Sequence, residues 1–360
     1  MSRMASTSAT SRLHAFDGLR AVCALAIFFH HHGPWVKALD HPLLQGVFHA
    51  GYLALSPFFV LSGFLITDRY VENKGRAWRS YLISRAARIL PLLILVTTLA
   101  FISHVRHGTL TLGEALPLYL ANITTVKGWF DDLKFSGIVQ TWSITPEVVF
   151  YLAAPLLFIG LRRWAWRFLI VLPIILAVFG ATLVVWLDGR GLWGFMRSFE
   201  FMFACIFFGR ATEFVVGMAV AWYVRNHAPR TGGAWMTSLG TGVTLLSLLI
   251  IASTRWTFAQ SGGVLLVDLL WPVFGLGPLF LGLVSERTWL RSALSQPLIT
   301  MMGRCSYAFY LIHLGVVYNV LYLLTGGFLT TLVLLFLLSW VLHRVVEEPV
   351  VRWARMRWSG

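Results

Sequence analysis

Charge is scarce in this sequence, and its scarcity excludes an ordinary soluble fold. Charged residues make up 12% of the 360 residues and hydrophobic residues 58%, far from the balance of soluble domains. Apolar runs of about 16 to 25 residues recur along the chain between short polar loops, a pattern typical of membrane-spanning helices. No region is long and polar enough for an additional soluble domain. Composition therefore predicts an all-α, polytopic membrane protein.

Cysteine is equally scarce, and the three cysteines are too scattered to build a site. Cys23, Cys205 and Cys305 lie inside or beside apolar runs, so neither a disulfide framework nor a metal site is expected from them. Residues 1–12, which are rich in Ser and Thr, are expected to form a disordered tail, and residues 13–360 a single transmembrane domain. No small-residue cleavage site clearly follows the first apolar run, which is therefore interpreted as a retained helix.

Acidic residues number 15 against 29 lysines and arginines, but this imbalance does not indicate nucleic-acid binding. The basic residues lie between the hydrophobic runs instead of in one patch, which the positive-inside rule explains. We predict about ten transmembrane helices, near residues 19–36, 50–67, 87–103, 143–160, 168–187, 207–224, 237–253, 262–284, 298–322 and 328–345. With a cytoplasmic N-terminus, 21 of the 29 basic residues fall on the cytoplasmic side and 8 on the other. Both termini are therefore predicted to be cytoplasmic.

Two further segments are moderately apolar but are not predicted to span the membrane. Residues 109–126 carry Glu114 and Pro117 and are interpreted as an interfacial helix. The aromatic-rich residues 192–206 are interpreted as lying along the outer surface or re-entering it. Counting either segment as a span would invert every later segment and remove the charge asymmetry.

The first apolar run carries an arginine and a histidine eleven residues apart. Because a helix turns about 100° per residue, Arg20 and His31 fall almost on one face, roughly 16 Å apart along the axis. Ionisable groups inside a span are costly and usually face a bundle interior or a wet cavity. We therefore expect this helix to line a site. His30 and His32 are interpreted as flanking groups, since adjacent helical histidines diverge by about 100° and cannot share one metal ion.

A second pair of ionisable residues lies at the predicted cytoplasmic entrance of the third span. Arg85 and Arg88 are three residues apart and share a helix face. Two interpretations are open. The pair either anchors the helix at anionic headgroups or clamps a phosphorylated ligand, for which guanidinium geometry is suited.

The fourth span opens with Thr145-Pro146-Glu147. Thr145 is interpreted as the helix N-cap and Pro146 as the first helical residue. Glu147 then lies in the first turn, where either the helix dipole or a functional role at the outer face explains an acid. Near the C-terminus, Tyr310 and His313 share a face of another apolar run, and a structural and a catalytic role are both open for that contact.

Several short motifs follow one another in a fixed order. They are Asp17-Gly18-Leu19-Arg20 with the Arg-x10-His pair, Gly51-Tyr52, the run Phe58–Ile66, Arg85-x-x-Arg88 with Pro91, Trp142-Ser143 with Glu147 and Phe150-Tyr151, Ser306-Tyr307 through His313, and Glu347-Glu348-Pro349. In this order the motifs make the chain resemble the acyltransferase 3 family of bacterial integral-membrane acyltransferases over nearly its full length. The chain departs from the family pattern at Ala54, Ser56, Ser84 and Val148. These differences leave the implied donor chemistry intact but weaken the inference of any particular acceptor from the family.

The resemblance implies a membrane-bound O-acyltransferase, multi-pass in the bacterial inner membrane. Such an enzyme moves an acyl group, usually acetyl, from acyl-CoA to a hydroxyl of an envelope glycan, a lipid-linked sugar or a secondary metabolite. Its expected partners are acyl-CoA, that acceptor and membrane lipids, with neither a metal nor nucleic acid.

Acyl transfer to an alcohol needs a base, because an alcohol is a poor nucleophile at neutral pH. His31 is the candidate, since imidazole titrates near neutrality, either as general base or as a transient acyl carrier. Glu147 is expected to orient His31 or to bind acceptor hydroxyls. Arg20, Arg85 and Arg88 are expected to hold the phosphates of coenzyme A. Substrate or structural support is expected from Asp17, Trp142, Ser143, Tyr151, Tyr307 and His313.

A membrane transporter or flippase for a sugar- or lipid-linked substrate is the competing hypothesis. Intramembrane charges and a basic vestibule suit a transporter equally well. The lack of a clear internal repeat favours the enzyme. Release of free thiol from acetyl-CoA by the purified protein would discriminate between the two.

Overall fold

The computed structural model describes residues 2–35, 41–71, 78–188, 190–227 and 233–358. Within these ranges the chain is helical, and the one β-type contact is an isolated bridge between Phe130 and Phe195. The α-helices are α1 (Ser2–His32), α2 (Pro42–His49), α3 (Ser56–Tyr70), α4 (Trp78–Arg106), α5 (Leu112–Ile123), α6 (Ile144–Trp164), α7 (Trp166–Trp186), α8 (Phe199–Cys205), α9 (Phe207–Asn226), α10 (Trp235–Thr254), α11 (Ser261–Val264), α12 (Gly277–Ser285), α13 (Trp289–Leu294), α14 (Pro297–Arg304), α15 (Ser306–Ile312), α16 (Val316–Thr325), α17 (Phe328–Leu342) and α18 (Glu348–Trp358). Short 3₁₀ segments cover Gly33–Trp35, Ala50–Leu55, Lys127–Trp129, Val139–Ser143 and Leu192–Gly194, and π-helical segments cover Leu265–Leu270, Pro272–Leu276 and His343–Glu347.

Eight helical segments in the described ranges are long and apolar enough to cross a membrane. They are Leu44–Tyr70, Trp78–Arg106, Val139–Trp164, Trp166–Trp186, Phe199–Asn226, Trp235–Thr254, Ser261–Ser285 and Phe328–Trp358. A ninth candidate is the pair α15 and α16, which is bent by 83°. The prediction of an all-α polytopic membrane protein is therefore confirmed, and the orientation of the termini stays a prediction.

The first predicted span, residues 19–36, has no counterpart among these candidates. It lies in α1, which is long enough but is not among the segments of sufficient hydropathy, because Asp17, Arg20 and three consecutive histidines interrupt its apolar surface. Residue 36 falls outside the described residues. The helix also begins at Ser2, so the backbone of residues 2–12 is helical where composition favoured disorder; no proline or glycine interrupts it there.

Neither of the two segments expected not to span forms a candidate span of its own in the described ranges. Residues 109–126 contain α5, whose 12 residues extend about 18 Å, too short for a hydrocarbon core of about 30 Å. Residues 192–206 contain α8, which joins α9 in the apolar segment Phe199–Asn226. That segment counts as one candidate span together with the predicted span 207–224, and the place of residues 192–206 at the outer surface stays a prediction.

Two compact units make up the chain. The first consists of Met1–Glu72, Phe158–Phe179 and Phe208–Arg304, and the second of Asn73–Leu157, Gly180–Phe207 and Cys305–Gly360. In the first unit, Phe16 lies with its ring centroid 5.0 Å from that of Phe64 and 5.1 Å from that of Phe280. These rings lie in a buried apolar core. A single domain over residues 13–360 stays a prediction.

Glycines bring helices of the first unit into backbone contact. A Cβ atom at Gly63 of α3 would lie 2.1 Å from the carbonyl oxygen of Phe214 on α9, and one at Gly217 would lie 2.0 Å from the carbonyl oxygen of Val60. In a membrane, small residues at a crossing allow the close packing that replaces hydrophobic attraction between helices. This reciprocal pair therefore fixes α3 against α9.

Glu286, which directly follows α12, caps the N-terminus of α10. Its carboxylate accepts the N–H groups of Met236 and Thr237, both at 2.9 Å, and the hydroxyl of Thr237 at 2.6 Å. Burial opposes the charge of this carboxylate, but the hydrogen bonds from Thr237 and Met236 keep the pKa of Glu286 below its ordinary value. A carboxylate at a helix N-terminus is also favoured by the helix dipole.

In the second unit, α4 packs against α5, α15 and α18. The Tyr307 hydroxyl donates to the carbonyl oxygen of Ile89 at 2.7 Å, and Phe309 stacks on Phe336 with centroids 4.2 Å apart. These contacts place the polar residues of α15 beside the first half of α4.

Candidate functional site

Arg20 lies on α1 in the first unit, with its side chain 13% exposed. Its Nη1 is 3.9 Å from Oδ1 of Asp17, and the other oxygen of Asp17 is 3.4 Å from Nε of Arg304. Two guanidinium groups around one carboxylate leave a net positive charge. This part of the first unit is therefore suited to attract an anion.

Several imidazoles gather around the far end of α1. The rings of His30 and His31 have centroids 5.0 Å apart. His30 Nδ1 lies 2.7 Å from the carbonyl oxygen of Phe48 and donates to it. The ring of Tyr52 lies 6.1 Å from that of His30 and 5.9 Å from that of His49. His31 therefore belongs to a cluster in which His30 is fixed by the backbone.

Sequence reasoning missed His49, because its place beside α1 depends on how the chain folds back after α2. Gly51 was a weak signal. A Cβ atom at this position would lie 2.7 Å from Cβ of His30. The glycine of the Gly51-Tyr52 motif therefore leaves room for α1 to pack closely at His30.

A buried ionic cluster in the first unit was also missed. Arg210 Nη2 lies 2.8 Å from Oε1 of Glu213, and Nη1 lies 3.5 Å from Oδ1 of Asp268. Arg210 also donates to the Ser56 hydroxyl at 3.1 Å. Tyr52 is within electrostatic range of Arg210 and Asp268, so this cluster adjoins the histidines. The i, i+3 spacing of Arg210 and Glu213 inside an apolar run was the available signal.

The second unit brings together four of the predicted residues. Glu147 lies in the first turn of α6, as predicted, and accepts a hydrogen bond from the hydroxyl of Tyr151. The guanidinium carbon of Arg85 lies 5.7 Å from the centroid of the Tyr151 ring. Arg88 is within electrostatic range of the same tyrosine. A carboxylate, a phenol and two guanidinium groups thus form one cluster.

Tyr307 and Glu347 extend this cluster. Tyr307 is within electrostatic range of Glu347, Glu147 and Arg88. Glu347 is buried and lies 2.9 Å from Nδ1 of His343. The adjacent residues Glu347 and Glu348 therefore have different surroundings. Glu348 forms exposed ion pairs with its neighbours Arg344 and Arg352.

Ser143, Gln140 and Tyr310 form an adjoining polar group. The Ser143 hydroxyl lies 2.7 Å from that of Tyr310, and the Tyr310 hydroxyl donates to the carbonyl oxygen of Gln140. His313 is buried, with Nδ1 2.8 Å from the carbonyl oxygen of Tyr310. Trp142 lies in the 3₁₀ segment that carries Ser143.

The predicted N-cap of α6 was wrong. The helix begins at Ile144, and the hydroxyl of Thr145 donates to the carbonyl oxygen of Thr125 while accepting the N–H of Gly128. The preceding 3₁₀ segment continues into α6, so Thr145 uses its hydroxyl to hold a neighbouring loop.

The predicted residues fall into both units. Asp17, Arg20 and His31 lie in the first, and Arg85, Arg88, Trp142, Ser143, Glu147, Tyr151, Tyr307 and His313 in the second. Across the described ranges, no group of three or more His, Cys, Asp and Glu side chains is arranged to hold a metal ion.

Known proteins provide an independent comparison. The family profile described as an acyltransferase domain matches residues 13–344. A Staphylococcus aureus protein, named provisionally as an O-acetyltransferase, is 25% identical over 84% of this chain and 50% of its own length. The acyltransferase MdmB of Streptomyces mycarofaciens is 27% identical over 95% of this chain and 92% of its own. Nodulation protein 10 of Rhizobium leguminosarum is 29% identical over 41% of this chain and 45% of its own.

The chain spans about half the length of the Staphylococcus aureus relatives it matches. No solved structure is significantly similar to it. The family profile covers nearly the whole chain, from the end of the polar N-terminal segment through α17. The chain belongs to the acyltransferase 3 family.

Proposed function

We propose that this protein is a multi-pass O-acyltransferase of the bacterial inner membrane. It transfers an acyl group, in the first instance acetyl, from acyl-CoA to a hydroxyl of an envelope glycan, a lipid-linked sugar or a secondary metabolite. The family membership and the names of the relatives from Staphylococcus and Streptomyces support acyl transfer. The observation that carries the proposal is the cluster of Arg85, Arg88, Glu147 and Tyr151.

This cluster contains the paired guanidinium groups that binding of a phosphorylated acyl donor needs. Arg85 and Arg88 offer paired guanidinium groups, whose planar forks match the oxygens of a phosphate. The Tyr151 ring supports Arg85 from one side. In the proposed enzyme Arg85 and Arg88 bind the phosphates of coenzyme A.

In the proposed reaction, a base removes the proton of the acceptor hydroxyl. His31 takes the hydroxyl proton as the oxygen attacks the thioester carbonyl, the C–S bond breaks, and the departing thiolate takes the proton from the imidazolium. Glu147, with the Tyr151 hydroxyl donating to it, is an acceptor for hydroxyl groups of the substrate. Asp17 positions Arg20 through their ion pair.

Arginine-to-lysine variants test the donor site. Lysine keeps the positive charge and any anchoring to headgroups but lacks the planar fork. We expect Arg85→Lys and Arg88→Lys each to weaken acetyl-CoA binding by about 1.5–3 kcal/mol, the range for a charge-assisted hydrogen bond. This corresponds to roughly 10- to 150-fold in dissociation constant. Calorimetric titration of the purified protein in lipid nanodiscs measures this change.

Arg79→Lys is the matched control, because Arg79 lies on the same helix but is exposed. It should bind acetyl-CoA as wild type does. Equal affinity of all three variants and wild type would reduce the pair to a membrane anchor and remove the donor site from the proposal.

A further inference from the structure

Arg210, Glu213 and Asp268 form an ionic cluster in the apolar interior of the first unit. The first two lie in the candidate membrane span Phe199–Asn226, and Asp268 lies in the span Ser261–Ser285. Their side chains are 2%, 0% and 6% exposed. Ionisable residues inside a span are costly and are functional candidates by default. The proposed acyl transfer does not use this cluster, so its role is open.

The cluster contains two acids but a single cation. The guanidinium group of Arg210 is always charged in proteins, and its remaining contacts are with uncharged groups. It donates to the Ser56 hydroxyl at 3.1 Å, and its carbon lies 5.3 Å and 5.2 Å from the ring centroids of Phe59 and Phe258. If both carboxyl groups were ionised, the cluster would therefore carry one uncompensated negative charge, which is strongly unfavourable in a buried, apolar interior.

The two acids are not held equally well by the arginine. Nη2 of Arg210 lies 2.8 Å from Oε1 of Glu213, whereas Nη1 lies 3.5 Å from Oδ1 of Asp268. Neither carboxyl oxygen of Asp268 accepts a hydrogen bond from any of the described residues. A buried carboxylate without hydrogen bonds is unfavourable, and a proton removes its charge. Asp268 also lies in the π-helical segment Leu265–Leu270, and such segments occur frequently at functional sites.

We propose that Glu213 and Asp268 form a proton-binding site in which the two carboxyl groups hold one proton between them, while Arg210 balances the remaining negative charge. Both acids face the same guanidinium group, and Glu213 is within electrostatic range of Asp268. Acids that interact in this way titrate as a pair, so that ionisation of one opposes ionisation of the other. With one proton bound, the cluster is neutral overall.

Tyr52 places this proton-binding site beside the histidines at the end of α1. The tyrosine is within electrostatic range of Arg210 and Asp268. Its ring centroid lies 6.1 Å from that of His30 and 5.9 Å from that of His49. A positive charge that forms on one of these imidazoles favours release of the proton from the carboxyl pair, and a proton bound by the pair favours a neutral imidazole. This inference does not rest on the proposed acyl transfer.

Infrared difference spectroscopy tests the inference without requiring turnover, because a carboxylic acid and a carboxylate absorb in separate regions of the spectrum. The full-length protein is measured at pH 8 in a detergent without ester groups, where exposed carboxyl groups are ionised. The spectrum of wild type minus that of Asp268→Asn should contain the carboxylic acid band of one group. Wild type minus Glu213→Gln should contain a band of equal area, since in either variant Arg210 keeps one ionised partner and no proton is needed.

Glu286→Gln is the matched control. Glu286 is also buried in the first unit, with 5% of its surface exposed, but its carboxylate accepts three hydrogen bonds from Met236 and Thr237 and is ionised. Its difference spectrum should lack a carboxylic acid band and show only the loss of a carboxylate. Both test variants preserve the side-chain volume and leave Arg210 one ion pair, so we expect both to fold, and the unfolding midpoint in the same detergent checks this.

Three results would overturn the inference. Absence of the band from both differences would mean that both acids are ionised and that a histidine proton or a bound cation balances the charge. A band in only one of the two differences would assign the proton to a single residue and exclude sharing. The spectrum of Asp268→Asn minus that of Glu213→Gln should contain no carboxylic acid band, because each variant keeps only an ionised acid; bands of opposite sign there would mean that both acids are neutral in wild type.

Discussion

At the residue scale, Lys127 shows how a loop outside the spans is held together. Its side chain is 1% exposed, and Nζ donates to the carbonyl oxygens of Ser136 at 2.7 Å and Ile138 at 2.6 Å. Burial away from water lowers the pKa of Lys127 to about 7. The side-chain nitrogen of Lys127 therefore holds the turn that leads to Gln140 and Ser143 through two hydrogen bonds.

This lowered pKa predicts a pH-dependent stability. Between about pH 7 and pH 10 the unfolded chain holds a proton on Lys127 that the folded protein lacks, so the lysine contributes more to stability as the pH rises. We expect the difference in unfolding free energy between wild type and Lys127→Met to grow by up to about 1.4 kcal/mol per pH unit in this window. Thermal unfolding of both proteins at pH 7, 8 and 9 measures it, and a difference that is constant with pH would contradict the lowered pKa.

Sequence alone could identify the residues whose environment is local. Glu147 falls in the first turn of its helix because helix boundaries follow short-range signals, and Arg85 and Arg88 share a face through helical periodicity. His49, Gln140 and the pairing of Arg210 with Asp268 could not be identified in this way. Their partners lie far along the chain, such as Asp268 for Arg210 and Leu311 for Gln140, and no local pattern encodes those distances.

At the element scale, the conspicuous feature is the use of glycine where helices cross. Gly63 lies in the Phe58–Ile66 motif that the family resemblance singled out, and its contact with the backbone of Phe214 gives that motif a packing role. The bend between α15 and α16 also depends on glycine. Gly315 has φ of +77°, a conformation that side chains rarely tolerate, so the predicted continuous span 298–322 is broken there.

The crossing of α3 and α9 yields a stability prediction. A methyl group at Gly217 would meet the carbonyl oxygen of Val60 at 2.0 Å, so Gly217→Ala forces the two backbones apart and should cost about 1–3 kcal/mol. The unfolding midpoint in detergent measures this loss. Gly242→Ala on α10 is the matched control, because nothing lies within 4 Å of a Cβ atom there, and helix propensity makes it neutral or stabilising by up to about 1 kcal/mol. Equal effects of the two substitutions would refute the packing role.

At the scale of the whole molecule, hydropathy predicts the positions of the spans well, because the thickness of the bilayer imposes a long apolar run on every span. The eight segments overlap eight of the predicted spans, and the bent pair α15 and α16 overlaps the predicted span 298–322. The helix α1 is the exception, and its polar interruptions include Asp17, Arg20 and His31, which the proposed reaction uses. Functional residues thus lower the hydropathy by which their own helix would be identified as a membrane span.

The orientation provides a prediction at this scale. If α1 and the bent pair each cross once, the chain crosses ten times and both termini are cytoplasmic, in agreement with the charge split of 21 to 8. Reporter fusions after Lys127 should therefore read periplasmic, and fusions at the C-terminus cytoplasmic. A periplasmic C-terminus would contradict the topology and the assignment of Arg85 and Arg88 to the side where coenzyme A is found.

The central claim is that this protein moves an acyl group from acyl-CoA to a hydroxyl, with His31 as the base. The most direct test supplies acetyl-CoA, labelled in the acetyl group, to inverted membrane vesicles that contain wild type, His31→Ala or His32→Ala at equal levels. We predict alkali-labile label on a membrane glycan or lipid with wild type, a loss of about 10²–10⁴-fold with His31→Ala, and a much smaller loss with His32→Ala. Equal labelling by wild-type vesicles and by vesicles without the protein would contradict the acyltransferase, and near-normal labelling by a well-folded His31→Ala protein would remove His31 as the base.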